Sequence, residues 1–228
     1  MSLLNPARLL IYVLRALCML ISLPAHEAAH ALSALVLGDD TARNEGRLTL
    51  NPFAHFNLLG TLSFILLGIG WADPVPVDPR RFRSVSPRVG MALTAAAGPL
   101  TNLLLAFVSV VAYKFVYYLA PDTVLMAFVL YFFNNLAVMN LALAAFNLLP
   151  LPPFDGSRLF SLLLPAGLYR KSIQYERYIF FVIFALLMLG VMDAPLAMMQ
   201  NALWDFLNWS TRFVEVVLGL AGPVGTAV

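Results

Sequence analysis

The sequence predicts an all-α membrane protein, a helical bundle of about five spans with a short re-entrant or β-like segment around residues 47–72. Of its 228 residues, 61% are hydrophobic and only 11% are charged, whereas soluble domains are about 45–50% apolar and about 25% charged. The apolar residues also gather into runs that approach the roughly 20 residues needed to cross a bilayer. So few charges cannot cover a soluble globular surface. A net charge of +2 without a basic stripe also excludes a nucleic-acid partner.

The first apolar run, residues 9–37, is long enough for one tilted span and ends at Gly38, a typical helix stop. The run continues well beyond the length of a signal-peptide core, so we expect it not to be cleaved. In the polar stretch that follows, residues 47–50 alternate like a short strand. The next run, 58–71, holds about 14 residues, too few to span comfortably, which favours a re-entrant or interfacial segment.

Two full-length runs, 89–119 and 123–149, predict a helical hairpin closed by a tight turn at Pro121. The run 178–192 is short but strongly apolar and predicts another span. The tail, 194–228, is predicted either to lie in the membrane interface or to span weakly.

Basic loops predict the orientation, because short loops with excess Arg or Lys stay in the cytoplasm. One such loop lies between the second and third apolar runs, and the other occupies residues 150–177. Both are therefore placed on the cytoplasmic side. The basic residues of the first loop are Arg80, Arg81, Arg83 and Arg88.

The first span contains the pattern His26-Glu27-x-x-His30. Histidines four residues apart lie on one helical face, where both imidazoles can bind one metal ion. Glu27 lies beside them, where it could accept a proton from water whose pKa zinc lowers to about 7. Burying such a cluster in a membrane costs several kcal/mol. The pattern therefore favours a metal site over a polar packing pocket or a proton relay.

A catalytic zinc usually has three protein ligands, and four residues are candidates for the third. Asp155 follows the proline-rich end of a span and precedes Gly156, a setting that is also typical of an ordinary helix-cap turn. The candidates are Asp155, His55, Asp73 and Asp78.

With these residues in view, the chain resembles the site-2 protease family of intramembrane zinc metalloproteases. The resemblance covers roughly residues 20–160 in the family's order, and it is closest to the compact prokaryotic branch without appended domains. The similar stretches are residues 26–30, 51–61, 70–77, 97–102 and 147–156.

The resemblance implies that His26, His30 and Asp155 bind one zinc ion per chain and that Glu27 activates the attacking water. It implies an intramembrane zinc endopeptidase that hydrolyses peptide bonds in or near transmembrane segments. We expect it to act on membrane-anchored protein substrates within the lipid bilayer. The predicted location is the prokaryotic inner membrane, with the active site nearer the cytoplasmic face. The oligomeric state is left open.

Three further polar residues are expected to line the active site: His55, Asn102 and Asn147. His55 is a candidate to orient substrate, to stabilise an oxyanion, or simply to cap its loop. Asn102 ends a row of residues at fourfold spacing that starts at Gly90, and such a row otherwise predicts a helix-packing seam. Asn140 and Asn147 lie seven residues apart on one face and have the same two interpretations.

Three loop residues depart from the family pattern. Asn57 stands where an acidic residue is frequent, so the family's charged partner for His55 is not expected here. Ser157 stands where a second glycine is frequent and Asp73 where a basic residue is common, and we expect these two to be tolerated loop variation.

We expect residues 1–228 to form one integral membrane domain, with a core at 9–192 and the C-terminal tail beyond it. An edge strand at 47–50 would hold an extended substrate by main-chain pairing. Two other functions stay open: a proton-coupled transporter or channel with the cluster as its relay, and an inactive metal-binding membrane chaperone. The sequence shows none of the internal symmetry that is typical of transporters, and the intact Glu27 argues against the chaperone.

Overall fold

The computed structural model describes residues 6–67 and 72–220, and this part of the chain is helical with irregular connections. The helices are α1 (Pro6–Leu37), α2 (Thr41–Asn44), α3 (Leu58–Leu67), α4 (Pro87–Leu119), α5 (Val124–Asn147), α6 (Asp155–Phe160), α7 (Ala166–Gln174), α8 (Glu176–Met188), α9 (Asp193–Ser210) and α10 (Phe213–Val217). Short 3₁₀ turns lie at Pro52–Ala54, Pro79–Arg81 and Ser161–Leu163.

The ends of the long helices follow local sequence signals. The helix α1 ends where Gly38 adopts a φ of 111°, as the predicted helix stop requires. Ser86 caps α4 by accepting a hydrogen bond from Val89 N–H, and Thr123 caps α5 by accepting one from Met126 N–H. The predicted hairpin of two long helices is therefore confirmed.

The helix α4 lies between α1 and α5 and packs against both, and α6 and α9 also pack on it. Small and branched side chains buried where α4, α5 and α9 meet let the backbones approach closely. Because α4 runs against α1 and α5, its N-terminal half lies beside the C-terminal halves of both. This topology brings one end of all three helices together. The buried core residues are Ala106, Val110, Ala137, Leu141 and Leu207.

Three helices in the described part of the chain are long and apolar enough to cross a membrane: Leu9–Leu37, Pro87–Leu119 and Val124–Asn147. A fourth span is possible if Glu176–Met188 and Asp193–Val217, which are bent by 86° relative to each other, count as one. The all-helical membrane class is thus confirmed, and three to four spans replace the predicted count of about five. The difference arises near Gly190, where the predicted span and the tail meet at the bend.

The β-like character predicted around residues 47–72 is wrong in the described part of this segment, which contains no strand. The backbone carbonyl of Thr49 accepts a hydrogen bond from the His55 ring, and its hydroxyl accepts one from Asn51 N–H. These local bonds occupy the Thr49 carbonyl and the Asn51 N–H, which in a strand would pair with a neighbouring strand. The described part of α3, Leu58–Leu67, covers 10 residues. The last residues of the predicted re-entrant run, 68–71, lie outside the described residues.

The arginine-rich loop packs at the C-terminal end of α1. Arg83 N–H donates to the Leu37 carbonyl at 2.9 Å, and Arg81 forms an ion pair with Asp40. The buried Asp39 carboxylate accepts the backbone N–H of Asp78 at 2.7 Å. These contacts tie residues 78–83 to the same end of the bundle at which α4 begins and α5 finishes.

Candidate metal centre and active site

Three side chains from distant parts of the sequence converge at this end of the bundle. The Nε2 atoms of His26 and His30 lie 3.0 Å apart, and each lies 3.3 Å from Oδ2 of Asp155. His26 is 6% exposed, and the His30 and Asp155 side chains are 12% and 20% exposed. Within the described chain, these three residues form a group whose ligand atoms all lie within 4.8 Å of one another.

The local fold explains why Asp155 reaches the two histidines. His26 and His30 are one turn apart on α1, and Asp155 is the first residue of α6. The next residue, Gly156, packs against the end of α5 so closely that a Cβ there would lie 2.3 Å from the carbonyl oxygen of Leu148. A glycine therefore lets the turn fold back and present the carboxylate.

The helix α4 supports the two imidazoles from the other side. A Cβ on Gly98 would lie 2.5 Å from Cε1 of both His26 and His30. One turn earlier, the carbonyl oxygen of Thr94 lies 2.7 Å from Nδ1 of His30, and one turn later Oδ1 of Asn102 lies 2.6 Å from Nδ1 of His26. Within the row at fourfold spacing, Thr94, Gly98 and Asn102 therefore form a packing seam against the two histidines, whereas Gly90 packs against Phe82.

These contacts determine which ring nitrogen of each histidine is free to bind a metal ion. Because both Nδ1 atoms face oxygen acceptors, each carries the ring proton, and each Nε2 keeps its lone pair. The buried Oδ2 of Asp155 has no hydrogen-bond partner. Two lone pairs and a carboxylate oxygen within such short distances repel one another unless a cation lies among them. The residues therefore fit a metal ion, and two imidazoles with one carboxylate are a ligand set that zinc accepts.

Asp155 is suited to be an anionic ligand. Burial by itself raises the pKa of its carboxyl, but when the His26 and His30 rings hold a proton at the position of the cation, their hydrogen bonds and charge outweigh burial and lower the pKa to about 2. The side chain is therefore a carboxylate at neutral pH.

Glu27 lies beside the cluster and is 7% exposed. Its Oε2 accepts the backbone N–H of Val75 at 3.2 Å. Glu27 and Val75 line a cavity of about 550 Å³ together with His26, His30 and Asp155. The segment that contains Val75, which is neither helix nor strand, thus forms one wall of the cavity, and its N–H holds the Glu27 carboxylate there.

The three residues predicted to line the site have different environments. Asn147 lines the cavity, and its amide donates to the carbonyl of Leu143. Asn102 is fully buried and contacts His26 on the side opposite to Nε2. His55 is fully buried in its own loop, and its Nε2 lies 2.9 Å from the Thr49 carbonyl. That geometry corresponds to the loop-capping alternative for His55.

The other candidates for the third ligand have partners elsewhere. Asp78 forms an ion pair with Arg80, and Asp73 is exposed. The Asp73 carboxylate accepts the amide of Asn57 at 3.0 Å. Two of the three departures from the family pattern, Asn57 and Asp73, therefore contact each other. The adjoining Gly70 and Trp71 lie outside the described residues.

The role of Val75 was not predicted from the sequence, because a backbone N–H has no residue signature. One signal was present: Pro74 and Pro76 have no N–H, so Val75 supplies the sole backbone donor of this triplet. The contact between Gly98 and the imidazoles was not predicted either. The sequence showed only a row of small residues at fourfold spacing.

A buried His, His and Asp cluster with a carboxylate at its side, set among membrane-spanning helices, defines a class: membrane-embedded zinc hydrolases. Comparison with known proteins agrees with this class. The family model described as "Peptidase family M50" matches residues 116–190. The Bacillus subtilis protein "Putative zinc metalloprotease YwhC" is 40% identical over 193 residues, which is 83% of this chain and 84% of that protein.

A Mycobacterium tuberculosis protein, "Putative zinc metalloprotease Rip2", is 34% identical over 143 residues, covering 60% of this chain and 52% of that protein. No solved structure matches the chain significantly. The identity and coverage of the Bacillus relative are sufficient to assign this chain to a protein family. The chain belongs to peptidase family M50, the site-2 protease family, and is a zinc metalloprotease and an integral membrane protein.

Proposed function

We propose that this zinc metalloprotease is an intramembrane endopeptidase that hydrolyses peptide bonds in or near the transmembrane segments of membrane-anchored proteins. The observation that carries the proposal is the position of Glu27, which shares a cavity with the His26, His30 and Asp155 cluster inside a bundle of apolar helices. Peptide hydrolysis needs water, and the polar side chains at the centre of this cavity can hold it where the bilayer core does not.

In this proposal His26, His30 and Asp155 hold the zinc ion. When bound, zinc acts as a Lewis acid that polarises a carbonyl and makes water acidic enough to ionise near neutral pH. Glu27 accepts the proton of the attacking water and passes it to the leaving amine as general base and acid. The Val75 N–H bond to Oε2 holds the Glu27 carboxylate in the cavity during both transfers.

The cavity wall formed by residues 72–77 is an argument that the substrate binds in an extended conformation. This segment is itself without helix and lines the cavity through Ala72, Pro74, Val75 and Val77. A substrate helix has its peptide groups hydrogen-bonded internally, so it must unwind locally before a peptide bond reaches Glu27. We propose that Asn147, whose side chain also lines the cavity, contacts the unwound backbone.

The proposed orientation places this end of the bundle at the cytoplasmic face of a prokaryotic inner membrane. The supporting observation is that the loop with Arg80, Arg81 and Arg83 is tied to the C-terminal end of α1, about 12 Å beyond His30 at 1.5 Å per residue.

The test uses tagged single-span substrates co-reconstituted in vesicles with the zinc-loaded protein. The variant Glu27→Gln should keep its zinc and lose cleavage by about 10²–10⁴-fold, the usual contribution of general acid–base catalysis. His26→Ala and Asp155→Ala should lose both zinc and cleavage. Glu45→Gln, an exposed acidic position, is the matched control and should behave as the unmodified chain. Unchanged cleavage by Glu27→Gln would refute the mechanism.

A further inference from the structure

A chain of buried polar side chains extends from the metal centre into the helical bundle. Asn102 on α4, Asn140 on α5 and Ser22 on α1 are each 0% exposed. Asn102 Nδ2 donates to Asn140 Oδ1 at 2.8 Å, and Asn140 Nδ2 donates to Ser22 Oγ at 2.9 Å. The proposed chemistry does not use Asn140 or Ser22, which do not line the cavity. Buried polar groups at membrane depth are costly, so their presence there requires another reason.

The direction of each hydrogen bond in this row of side chains follows from the bond that Asn140 makes to a backbone carbonyl. Asn140 Nδ2 lies 2.8 Å from the backbone carbonyl of Leu136, and a carbonyl oxygen can only accept. The Asn140 amide must therefore present its oxygen to Asn102. Asn102 must then point its NH₂ group at Asn140 and its own oxygen at His26. The Asn102 oxygen lies 2.6 Å from Nδ1 of His26 and accepts the ring proton there.

This direction matters because an amide, unlike a carbonyl, has a donor end and an acceptor end. His30 faces the Thr94 backbone carbonyl, which can only accept, so its Nδ1 must carry the proton. His26 faces Asn102, and a rotated amide would present NH₂ to Nδ1 and shift the ring proton to Nε2. A protonated Nε2 has no lone pair for a metal ion. His26 therefore depends on the orientation of Asn102, and His30 has no such dependence.

We propose that Asn140 is a positioning residue for zinc binding: by orienting the Asn102 amide, it fixes the ring proton of His26 on Nδ1 and keeps Nε2 free for the metal. The proposal rests on the proposed ligation of zinc by His26. Partners of this kind behind a metal-bound histidine typically change metal affinity 10–100-fold. The effect of Asn140 is transmitted entirely through Asn102.

The test is a double-variant cycle read out as Zn²⁺ affinity of the full chain, measured by chelator competition. Asn140→Leu should lower the affinity at least tenfold, because the Asn102 amide is then free to rotate. In Asn102→Asp both carboxylate oxygens accept, so either end serves His26, but one of them then faces the Asn140 oxygen, and the affinity of this single variant is the reference for its background. In the Asn102→Asp background, Asn140→Leu should not lower the affinity, because no amide is left to rotate and the contact between two acceptor oxygens is removed. Asn135→Leu is the matched control, since Asn135 lies on the same helix and also donates to the carbonyl four residues earlier.

A merely structural role for Asn140 would lower zinc affinity equally in both backgrounds, and that result would overturn the proposal. Unchanged affinity in Asn140→Leu would do so as well. If His26→Ala keeps its zinc, the proposed ligation fails; if His26→Ala loses zinc but Asn140→Leu does not, only the role of Asn140 fails.

A second measurement does not depend on the Asn140 variant being stable. The chain has three histidines, so ¹⁵N spectra of the histidine-labelled, metal-free protein can be assigned with His→Ala variants. Nδ1 of both His26 and His30 should be protonated, and His55, which donates to the Thr49 carbonyl, should carry its proton on Nε2. A His26 ring protonated only on Nε2 in the unmodified chain contradicts the proposal.

Discussion

A Cβ atom on Gly98 would lie 2.5 Å from Nε2 of His30, closer than any real side chain tolerates. The backbone of α4 at Gly98 thus packs directly against both imidazoles of the proposed zinc site. The obstructing atoms belong to buried rings that are also hydrogen-bonded at Nδ1, so they cannot move aside without losing those bonds.

Gly98→Ala should therefore lower zinc affinity about 5- to 150-fold. Overpacking a closely fitted position costs about 1–3 kcal/mol, and about 1.4 kcal/mol corresponds to a factor of ten. Zinc content after chelator competition measures the effect. Gly167→Ala is the control, because a Cβ there meets nothing within 4 Å. Equal zinc affinity in both variants would show that the imidazoles are not held against α4.

The hydrogen bond from the Val75 N–H to Glu27 can be removed without changing the Glu27 side chain. Val75→Pro deletes the N–H, whereas Val75→Ala keeps it. Hydrogen bonds to charged groups contribute about 1.5–3 kcal/mol, so we expect Val75→Pro to cleave membrane-anchored substrates at least tenfold more slowly with unchanged zinc content. Val75→Ala should retain most activity. If the alanine variant is impaired as strongly as the proline variant, the side chain and not the N–H matters.

The proposed orientation is testable with thiol labelling in intact cells. Cys18 is the single cysteine and is fully buried, so a Cys18→Ala background introduces no competing thiol. Asp122→Cys, in the exposed turn between α4 and α5, should react with a membrane-impermeant maleimide in intact cells. Arg80→Cys, at the opposite end of the bundle, should react only after lysis. The reverse pattern would place the active site at the outer face.

A half-buried ion pair stabilises the C-terminal part of the bundle. Lys114 Nζ lies 2.7 Å from Glu215 Oε1, joining α4 to α10. Lys114→Met leaves the Glu215 carboxylate without its partner and should lower the free energy of unfolding by up to about 3 kcal/mol. Lys114→Met combined with Glu215→Gln should recover part of that loss, and Lys171→Met at an exposed position should have no effect. The midpoint of unfolding in detergent is the measurement. A double variant no more stable than Lys114→Met would exclude the ion pair as the cause.

Local signals were sufficient to predict the long helices. Gly38, Ser86 and Thr123 stand where α1 ends and where α4 and α5 begin, and caps act within one helical turn. The strand predicted at residues 47–50 is not formed, because alternation describes which face a side chain takes and not whether a partner strand exists. In its place, His55 and Asn51 bind the polar groups of Thr49.

The sequence by itself determined the class of this protein. Its composition requires a membrane, and the spacing of His26 and His30 places two imidazoles on one helical face whatever the rest of the chain does. Only the tertiary structure decided which carboxylate joins them, since residues 26 and 155 meet through the packing of α1, α4 and α6. It alone also decided that Asn102 turns its oxygen to His26 and that Val75 N–H binds Glu27. Helical periodicity acts over a few residues, whereas these contacts depend on how distant helices pack.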